Sequence, residues 1–418
     1  MHDFHFKNGE LCCENVRVAS VARAVGTPFY LYSHKTLTDH YRKIKKAFAE
    51  LDPVICFAMK ANGNLAVLKS LVDIGAGLDI VSIGELKKAL MVRADPKKIV
   101  FASVGKTEEE IAFALKKGIL FFNVESEPEL REINRVAKAM GKKARVALRI
   151  NPDVPAPTHD YIFTGSLKKK FGIDLRTTRE ILKNRRQYPF VDINGIHIHI
   201  GSQITSGGPF IGAIKKVVKF IAGLRAEGVA IEYLDIGGGL GIIYKDERPQ
   251  TAQEYADNIV PILRGTGLKI IMEPGRFIVG NAGIFVTRVV YLKDNGYKKF
   301  VIVDGGMNDL IRPSLYDAYH EVVPVKKTSA ARVKVDVVGP ICESGDFFAH
   351  DRLLPKVNKG DLLAVMSAGA YGYVMASNYN VRGRSPEVMV KGGKFAVTKE
   401  REDFKDLIRG ESIPSFLK

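Results

Sequence analysis

Tryptophan is absent from this 418-residue chain, and only four cysteines are present: Cys12, Cys13, Cys56 and Cys342. Their spacing matches no CxxC pair and no zinc-ligand pattern, so the sequence predicts neither a disulfide framework nor a metal site. No apolar run reaches the roughly 18 residues of a membrane span. The first ten residues lack the basic start and apolar stretch of a secretory signal. We therefore expect a cytoplasmic protein without a membrane partner.

The formal net charge of +17 raises the question of nucleic-acid binding. The basic residues are mostly scattered doublets in helix-like segments, such as Lys87-Lys88 and Lys215-Lys216. The sequence contains no long basic run, no interleaving of basic and aromatic residues and no known nucleic-acid motif. We therefore predict no nucleic-acid partner.

Short apolar runs alternate with helical patterns between residues 54 and 281. The runs lie at 54–59, 78–81, 99–104, 119–124, 144–150, 193–200, 232–236 and 269–272. Eight strands that are apolar on both faces, each followed by a helix, favour a (β/α)8 TIM-type barrel over an open sheet. The long proline-containing stretch at 151–176 predicts a functional flap or a disordered segment.

The pattern changes after residue 283. Two strand-like runs are joined at the turn Asp294-Asn295-Gly296, and further β-like runs follow at 333–338, 362–366 and 387–397. The first 30 residues also contain short β-like pieces. The fold class is therefore α/β plus β, with the barrel over 34–281. We expect 1–33 and 282–418 to form an antiparallel β domain, a sandwich or a barrel.

Polar and glycine residues stand at the ends of several barrel runs. Lys60 ends the first run, Asp79 lies in the second, and His199 and Ser202 stand at the end of the sixth. Glycines 237–239 follow the seventh run, and the sequence EPGR at 273–276 follows the eighth. Catalytic groups of such barrels come from the C-terminal ends of the strands. The sequence therefore predicts that these residues meet in one site.

Lys60 has two interpretations. Its side chain could extend from a strand end into solvent, or its amine could bind a carbonyl cofactor as a Schiff base. The small neighbours Ala58 and Ala61 would leave room for a ring beside it.

His197 and His199 lie two residues apart on a strand and so face the same side. They could bind a metal, be structural, or stack on a planar cofactor. No further ligand stands at a convincing position for a metal, so we expect no metal and favour the stacking role.

The glycine-rich segment 237–241 does not match the dinucleotide pattern GxGxxG, because Ile242 occupies the last position. Glycines let backbone N–H groups approach an anion, and the loops after strands 7 and 8 of barrels often bind phosphate. Gly275 and Arg276 would add donors to such a site. Phosphate donors, a stacking imidazole, a lysine and the carboxylate of Glu273 together fit pyridoxal 5′-phosphate (PLP), whose ring nitrogen needs a partner.

Seven motifs carry a resemblance to a known family. They are FAMKAN (57–62), HIHIGSQI (197–204), DIGGGLG (235–241), EPGR (273–276), DGGMNDLIRPSLY (304–316), GPICESGDFF (339–348) and GAYGYVMASNYN (369–380). With them, nearly the whole chain resembles the PLP-dependent decarboxylases that combine an alanine-racemase-like barrel with a β domain. Among these, it is similar to the diaminopimelate decarboxylases. Ser314 stands where that family usually has alanine.

The resemblance implies a role for each matching residue. Lys60 would hold PLP as a Schiff base, His199 would stack on its ring and Glu273 would hold its nitrogen. The phosphate would be bound by Ser202, Gly238, Gly239, Gly275, Arg276 and Tyr371. The substrate would be bound by Arg276, Arg312, Tyr316, Glu343 and Tyr371. Cys342 would be the catalytic acid. From residue type alone, Arg312 and Glu343 could instead form an ordinary salt bridge, and Cys342 could be a small core residue.

The activity that the resemblance implies is decarboxylation of meso-2,6-diaminopimelate to L-lysine, the last step of lysine biosynthesis. It also implies a homodimer in which Cys342 and Glu343 serve the active site of the neighbouring chain. The alternatives are a related PLP decarboxylase of another basic amino acid or of carboxynorspermidine, and a non-catalytic binding relative. Retention of Lys60, Glu273 and Cys342 argues against the last of these.

Overall fold

The structure is a computed structural model that describes residues 2–152 and 170–417. Its contacts divide the chain into two compact units. One comprises Met1–Leu37 and Val279–Lys418, and the other comprises Thr38–Ile278. The domain boundary that the sequence predicts, a barrel over 34–281, stays a prediction. The predicted flap at 151–176 falls mostly on 153–169, outside the described residues.

The N-terminal segment contributes short strands to the first unit. Strands β1 (Phe4–Lys7), β2 (Glu10–Cys13) and β3 (Val16–Arg17) form a three-stranded antiparallel sheet. Helix α1 (Val18–Val25) follows, and then β4 (Phe29–Ser33), whose five residues are all buried.

The second unit is a closed barrel of eight parallel strands. After α2 (His34–Ala47), its strands and helices alternate in the order β5 (Val54–Ala58), α3 (Leu65–Val72), β6 (Gly77–Ile80), α4 (Ile83–Met91), β7 (Ile99–Ala102), α5 (Glu108–Lys117), β8 (Phe121–Val124), α6 (Glu127–Ala139), β9 (Ala144–Arg149), α7 (Leu175–Lys183), β10 (Val191–His197), α8 (Gly208–Ala226), β11 (Tyr233–Asp235), α9 (Ala252–Leu263), β12 (Lys269–Met272) and α10 (Arg276–Val279). Strand β12 pairs with β5 and so closes the barrel. The (β/α)8 prediction is confirmed, with a strand at each of the eight apolar runs.

Local sequence fixes where the barrel helices begin. Helix α5 is an example. The Thr107 side chain accepts a hydrogen bond from the backbone N–H of Glu110, and the Glu110 side chain accepts one from the backbone N–H of Thr107. This capping box satisfies two backbone donors that would otherwise be unpaired. The helix ends at Gly118, whose φ of 66° is left-handed, a conformation that glycine adopts without steric cost. Because all eight barrel strands are parallel, their C-terminal ends lie at the same rim.

The C-terminal part of the first unit is mainly β-structure. Its elements are β13 (Gly283–Asp294), β14 (Lys299–Val303), α11 (Arg312–Tyr316), β15 (Val322–Pro324), β16 (Arg332–Val338), β17 (Phe347–Pro355), β18 (Leu362–Val365), β19 (Glu387–Lys391), β20 (Lys394–Lys399) and α12 (Phe404–Leu407). The main sheet has the order β17-β16-β14-β13-β4-β19-β20, while β18 pairs with both β13 and β15. Most pairs are antiparallel, as predicted, but β14–β16 and β4–β19 are parallel.

The N-terminal strands join this unit in two ways. Strand β4 lies between β13 and β19, as expected for a segment taken into the β domain. Strands β1 to β3 instead keep their own sheet, which meets the rest of the unit through a bridge between Glu10 and Lys326. A shared core that includes Phe4, Leu31 and Val388 packs the two sheets together. Among the described residues, no helix is both long and apolar enough to cross a membrane.

Candidate active site

Lys60 lies at the C-terminal end of β5, in the short 3-10 helix Met59–Ala61. Its Nζ is 2.5 Å from Oδ2 of Asp79, a fully buried residue of β6. The Lys60 side chain itself is 34% exposed, so its amine can be reached from outside the barrel. The strand therefore presents a primary amine at the rim, held by a carboxylate from the neighbouring strand.

Burial raises the pKa of Asp79, and the nearby negative charge of Glu273 raises it further. The ammonium group of Lys60 acts in the opposite direction. Taking a carboxylate out of water is costly, so a buried aspartate at this place requires a cationic partner. Lys60 provides it.

Glu273 follows β12 and is 3% exposed. Its Oε1 accepts a hydrogen bond from Asn123 Nδ2 at 2.9 Å, and its Oε2 lies 3.3 Å from His197 Nε2. Burial alone would raise the pKa of Glu273, but His197 and then Lys60 outweigh it and hold this pKa well below its usual range. Glu273 is therefore a buried carboxylate that keeps its charge.

His199 stands at the same rim, next to the glycine turn after β11. Its Nδ1 accepts from the backbone N–H of Gly238 at 3.3 Å. Desolvation lowers the pKa of His199 well below its usual value, and the positive charges of Arg149 and Lys60 add to the effect. The imidazole is therefore neutral, as a ring that stacks on an aromatic cofactor should be. The N–H of Gly238, predicted to face a phosphate, is directed to His199 here.

The glycine turn brings two strand ends into close contact. Gly237 has a left-handed φ of 66°. A Cβ on Gly238 would lie 2.2 Å from the carbonyl oxygen of Glu273, so only glycine fits there. The turn thus sets the β11 end directly against the segment that carries Glu273.

Arg276 begins α10 and is 5% exposed. Its Nη2 and Nε donate to Oγ of Ser202, at 3.1 and 3.3 Å, and its Nη1 donates to the hydroxyl of Tyr244 at 2.6 Å. A Cβ on Gly275 would lie 3.1 Å from the Cβ atoms of both Ala58 and Ala61. A guanidinium, a hydroxyl and a closely packed glycine segment therefore meet beside Lys60.

Two predicted substrate residues lie on α11 of the other unit. Arg312 is 6% exposed, and its Nε lies 3.3 Å from Nε2 of the buried His320. Its guanidinium carbon is 5.9 Å from the ring centroid of Tyr316. Ser314, between them, donates from Oγ to the carbonyl of Gly345. The helix is thus tied to the loop at 339–346.

That loop carries the predicted acid and ammonium ligand. Cys342 and Glu343 are both exposed. The N–H of Cys342 donates to Oδ1 of Asn380 at 2.9 Å, and Tyr379 shares a hydrogen bond with the side chain of Glu343. An exposed Cys342 does not fit the alternative of a small core residue. Tyr371 lies on another loop with a left-handed φ of 56°, a conformation that is uncommon for non-glycine residues.

The predicted site residues thus fall into separate groups. The barrel rim collects Lys60, His199, Ser202, Gly238, Gly239, Glu273, Gly275 and Arg276. Within the other unit, α11 carries Arg312 and Tyr316, while the loop at 339–346 carries Cys342 and Glu343.

The sequence analysis gave no role to several polar residues that the structure places in the barrel site. These are Asp79, Asn123, Asp235 and Tyr244. The first three had a usable signal, because each is a polar residue within or at the end of an apolar strand run. Tyr244 lies in a loop and had none.

His197, Asp235 and Glu273 offer three ligand-type atoms within 4.8 Å of one another. Their hydrogen bonds argue against a cation at this place. Asn123 turns its Nδ2 donor toward the oxygens of both carboxyl groups, where a metal ion would repel it. The cluster is better described as a hydrogen-bonded network than as a metal centre.

Comparison with known proteins supports the same picture. Residues 34–280 match the family model described as pyridoxal-dependent decarboxylase, pyridoxal binding domain. A diaminopimelate decarboxylase of Aquifex aeolicus is 48% identical over 404 residues, which cover 96% of each chain.

Solved structures agree. The diaminopimelate decarboxylase of M. jannaschii in complex with L-lysine has a TM-score of 0.95 and 38% identity, with 100% of both chains covered. That of Helicobacter pylori, also with L-lysine, has a TM-score of 0.90 and 42% identity, covering 94% of this chain and 98% of the other. The chain belongs to the pyridoxal-dependent decarboxylase family and, within it, to the diaminopimelate decarboxylases.

Proposed function

We propose that this protein uses PLP to remove one carboxyl group from meso-2,6-diaminopimelate, giving L-lysine and carbon dioxide. The observation that carries the proposal is the barrel rim itself: an accessible lysine amine, Lys60, stands there with the buried, charged carboxylate of Glu273 and the guanidinium of Arg276. The 48% identical relative and the lysine complexes of two relatives support the choice of substrate and product.

The residues at the rim fit PLP. An aldehyde needs a reachable amine, a pyridine nitrogen needs a carboxylate, and a phosphate needs cationic and hydroxyl donors. Lys60, Glu273 and the Arg276–Ser202 pair supply these groups. In addition, Oδ1 of Asp79 is buried with no hydrogen-bond partner among the described residues. The interior beside Lys60 is therefore polar enough to accept a polar ligand.

Each rim residue then has a defined task. Lys60 binds the cofactor covalently through Nζ, which Asp79 orients from 2.5 Å away. The charge of Glu273 would favour a protonated ring nitrogen, and the neutral His199 would stack on the ring. Arg276 and Ser202, with Gly239, Gly275 and Tyr371, would bind the phosphate, and Gly238 would join them by releasing its bond to His199. When bound, PLP supplies the sink for the electron pair left on the α-carbon as carbon dioxide departs.

The substrate has a distal carboxylate and a distal ammonium group, and the chain offers complementary charges. Arg312, with Arg276, Tyr316 and Tyr371, would bind the carboxylate, since guanidinium groups bind carboxylates bidentately. Glu343 would bind the ammonium. Ornithine lacks the distal carboxylate and would lose the charge-assisted hydrogen bonds to these arginines, each of which contributes about 1.5–3 kcal/mol.

The Cys342 thiol would donate its proton to the α-carbon of the product. Cys342 and Glu343 are exposed on their own chain, which suits residues that complete the site of a partner. We therefore propose a homodimer with shared active sites. Such a biosynthetic enzyme would work in the cytoplasm.

The proposed reaction is tested by carbon dioxide release from meso-diaminopimelate, measured beside ornithine, arginine and carboxynorspermidine. We expect kcat/KM for diaminopimelate to exceed that for the others by at least about a hundredfold, since two lost charge-assisted hydrogen bonds would cost about 3–6 kcal/mol together. Equal or faster release from a competitor would overturn the choice of substrate. No release from any of the four compounds would overturn the proposed activity.

The shared site is tested by mixing two inactive variants, Lys60→Ala and Cys342→Ala. In a mixed dimer one site has both defects and the other has none, so random mixing should restore roughly a quarter of the wild-type activity. As a control, Lys60→Ala is mixed with the double variant Lys60→Ala/Cys342→Ala, which leaves every site defective. Restoration no greater than this control would contradict a shared site.

A further inference from the structure

A closed group of polar side chains lies behind Glu273 inside the barrel. It consists of Asn123 from β8, His197 from β10, Asp235 from β11 and Glu273 itself. Their exposures are 0%, 1%, 1% and 3%. We call these four residues the inner network.

The contacts within the inner network are specific. The Asn123 amide donates to Glu273 Oε1 at 2.9 Å and to Asp235 Oδ2 at 3.4 Å, so it bridges the two carboxyl groups. Asp235 Oδ1 accepts the backbone N–H of Gly237 at 2.9 Å, and a carboxyl oxygen of Asp235 lies within 4.8 Å of one of Glu273. His197 Nε2 lies 3.3 Å from the other carboxylate oxygen of Glu273, Oε2.

Two buried carboxylates that lie this close together and accept from the same amide repel each other strongly in a dry interior. A proton on one of them removes this repulsion and lets that group donate to the other, since an ionised carboxylate oxygen is only an acceptor. The geometry of the inner network therefore favours one proton on the Asp235–Glu273 pair.

The surroundings decide which carboxyl group carries that proton. Glu273 has the shorter bond from Asn123, the contact with His197 and the electrostatic attraction of Lys60. His197 also lies within 4.8 Å of Asp235, but among the described residues Asp235 forms no ion pair as short as the 3.3 Å contact between His197 and Glu273. Desolvation raises the pKa of Asp235 well above its usual value, and the charge of Glu273 raises it further.

We propose that Asp235 is a protonated carboxylic acid that positions Glu273, donating a hydrogen bond from Oδ2 to its carboxylate. Oδ1 has the shorter bond, from Gly237 at 2.9 Å, and Oδ2 accepts only the 3.4 Å contact from Asn123, so Oδ2 is the oxygen that would carry the proton. Asp235 thus holds Glu273 in place without adding a second negative charge behind it. The inference deepens the proposed function and rests on it for the role of Glu273 toward PLP, but the position of the proton is independent of the cofactor.

The proton is located by infrared difference spectroscopy of the cofactor-free protein. Wild type minus Asp235→Asn should show a carbonyl band of a protonated carboxylic acid that shifts in heavy water. Labelling aspartate side-chain carboxyl groups with ¹³C should shift this band, and labelling glutamate should not. A band that shifts with glutamate labelling, or the absence of a band, would overturn the proposal.

Variants test the positioning role. Asparagine can still donate to Glu273 and accept from Gly237, so Asp235→Asn should bind PLP within about threefold of the wild type. Asp235→Ala removes the donor and should weaken PLP binding by about 10- to 100-fold. Asp192→Asn and Asp192→Ala, on the same barrel but partly exposed at the N-terminal end of β10, are matched controls that should change nothing.

The pH dependence of PLP affinity separates positioning from a general structural effect. Cys56, Lys60, Asp79, His197 and His199 also face this region and remain in every variant. Because asparagine mimics the neutral acid, Asp235→Asn should keep the wild-type midpoint. A midpoint displaced by about one unit or more would mean that Asp235 is ionised, and would overturn the proposal. If the wild type binds no PLP at all, the proposed function fails, while the infrared result still reports on Asp235.

Discussion

Replacing Lys60 by arginine is expected to lower kcat for diaminopimelate decarboxylation by at least about a thousandfold, because a guanidinium cannot form the covalent link to the cofactor. Arginine keeps the positive charge beside Asp79, so the buried carboxylate retains a cationic partner and the fold should persist. Carbon dioxide release measures the activity. Borohydride trapping followed by peptide mapping measures the link, which should be found on Lys60 in the wild type and be absent in the variant.

Lys69→Arg is a suitable control for this experiment. Lys69 lies on α3, is half exposed and pairs with Asp73 on the surface, so its replacement should leave both activity and trapping unchanged. If Lys60→Arg retained the trapped label or more than a tenth of wild-type activity, the assignment of Lys60 would be wrong.

Replacing Glu273 by glutamine should have the second largest effect, a fall in kcat of about 10²- to 10³-fold. Glutamine keeps the size and one oxygen of the side chain but removes the charge that favours a protonated ring nitrogen. Steady-state kinetics should show the loss mainly in kcat, because the amine of Lys60 and the donors of Arg276 remain. The absorbance spectrum of the bound cofactor should change as well. A purely structural defect would leave that spectrum unchanged when every site is occupied by PLP.

The matched control is Glu232→Gln. This residue is exposed on the same barrel and pairs with Lys269, so we expect kinetics within about twofold of the wild type, as for most surface substitutions. An equal loss in both variants would point to general instability. A Glu273→Gln enzyme with unchanged kcat would refute the role assigned to this carboxylate.

Much of the fold could be predicted because strand burial leaves a clear pattern in the sequence. In a parallel barrel both faces of each strand are covered, so the eight strands appear as mostly apolar runs. Half-exposed strands are harder to recognise. β17 (Phe347–Pro355) contains His350, Asp351 and Arg352 in its middle and was not expected. The parallel pairing of β4 with β19 joins segments over 350 residues apart, and no local pattern encodes it.

The candidate site was predictable to a similar degree. Polar residues that interrupt an apolar run, such as Lys60 and Glu273, are conspicuous in the sequence. The partners that set their charge are not: the sequence cannot tell that Asp79 faces Lys60, or that Asn123 bridges two carboxyl groups from different strands. These pairings follow from the closure of the barrel, because it brings side chains from strands far apart in the sequence to the same level inside the barrel.

The hydrogen bond from Ser314 to Gly345 has a consequence for fluctuations of the first unit. It joins the helix that bears Arg312 to the loop that bears Cys342, so the two segments share one local unfolding unit instead of opening separately. In this chain, the residue that would recognise the substrate carboxylate and the residue that would deliver the proton therefore become ordered together.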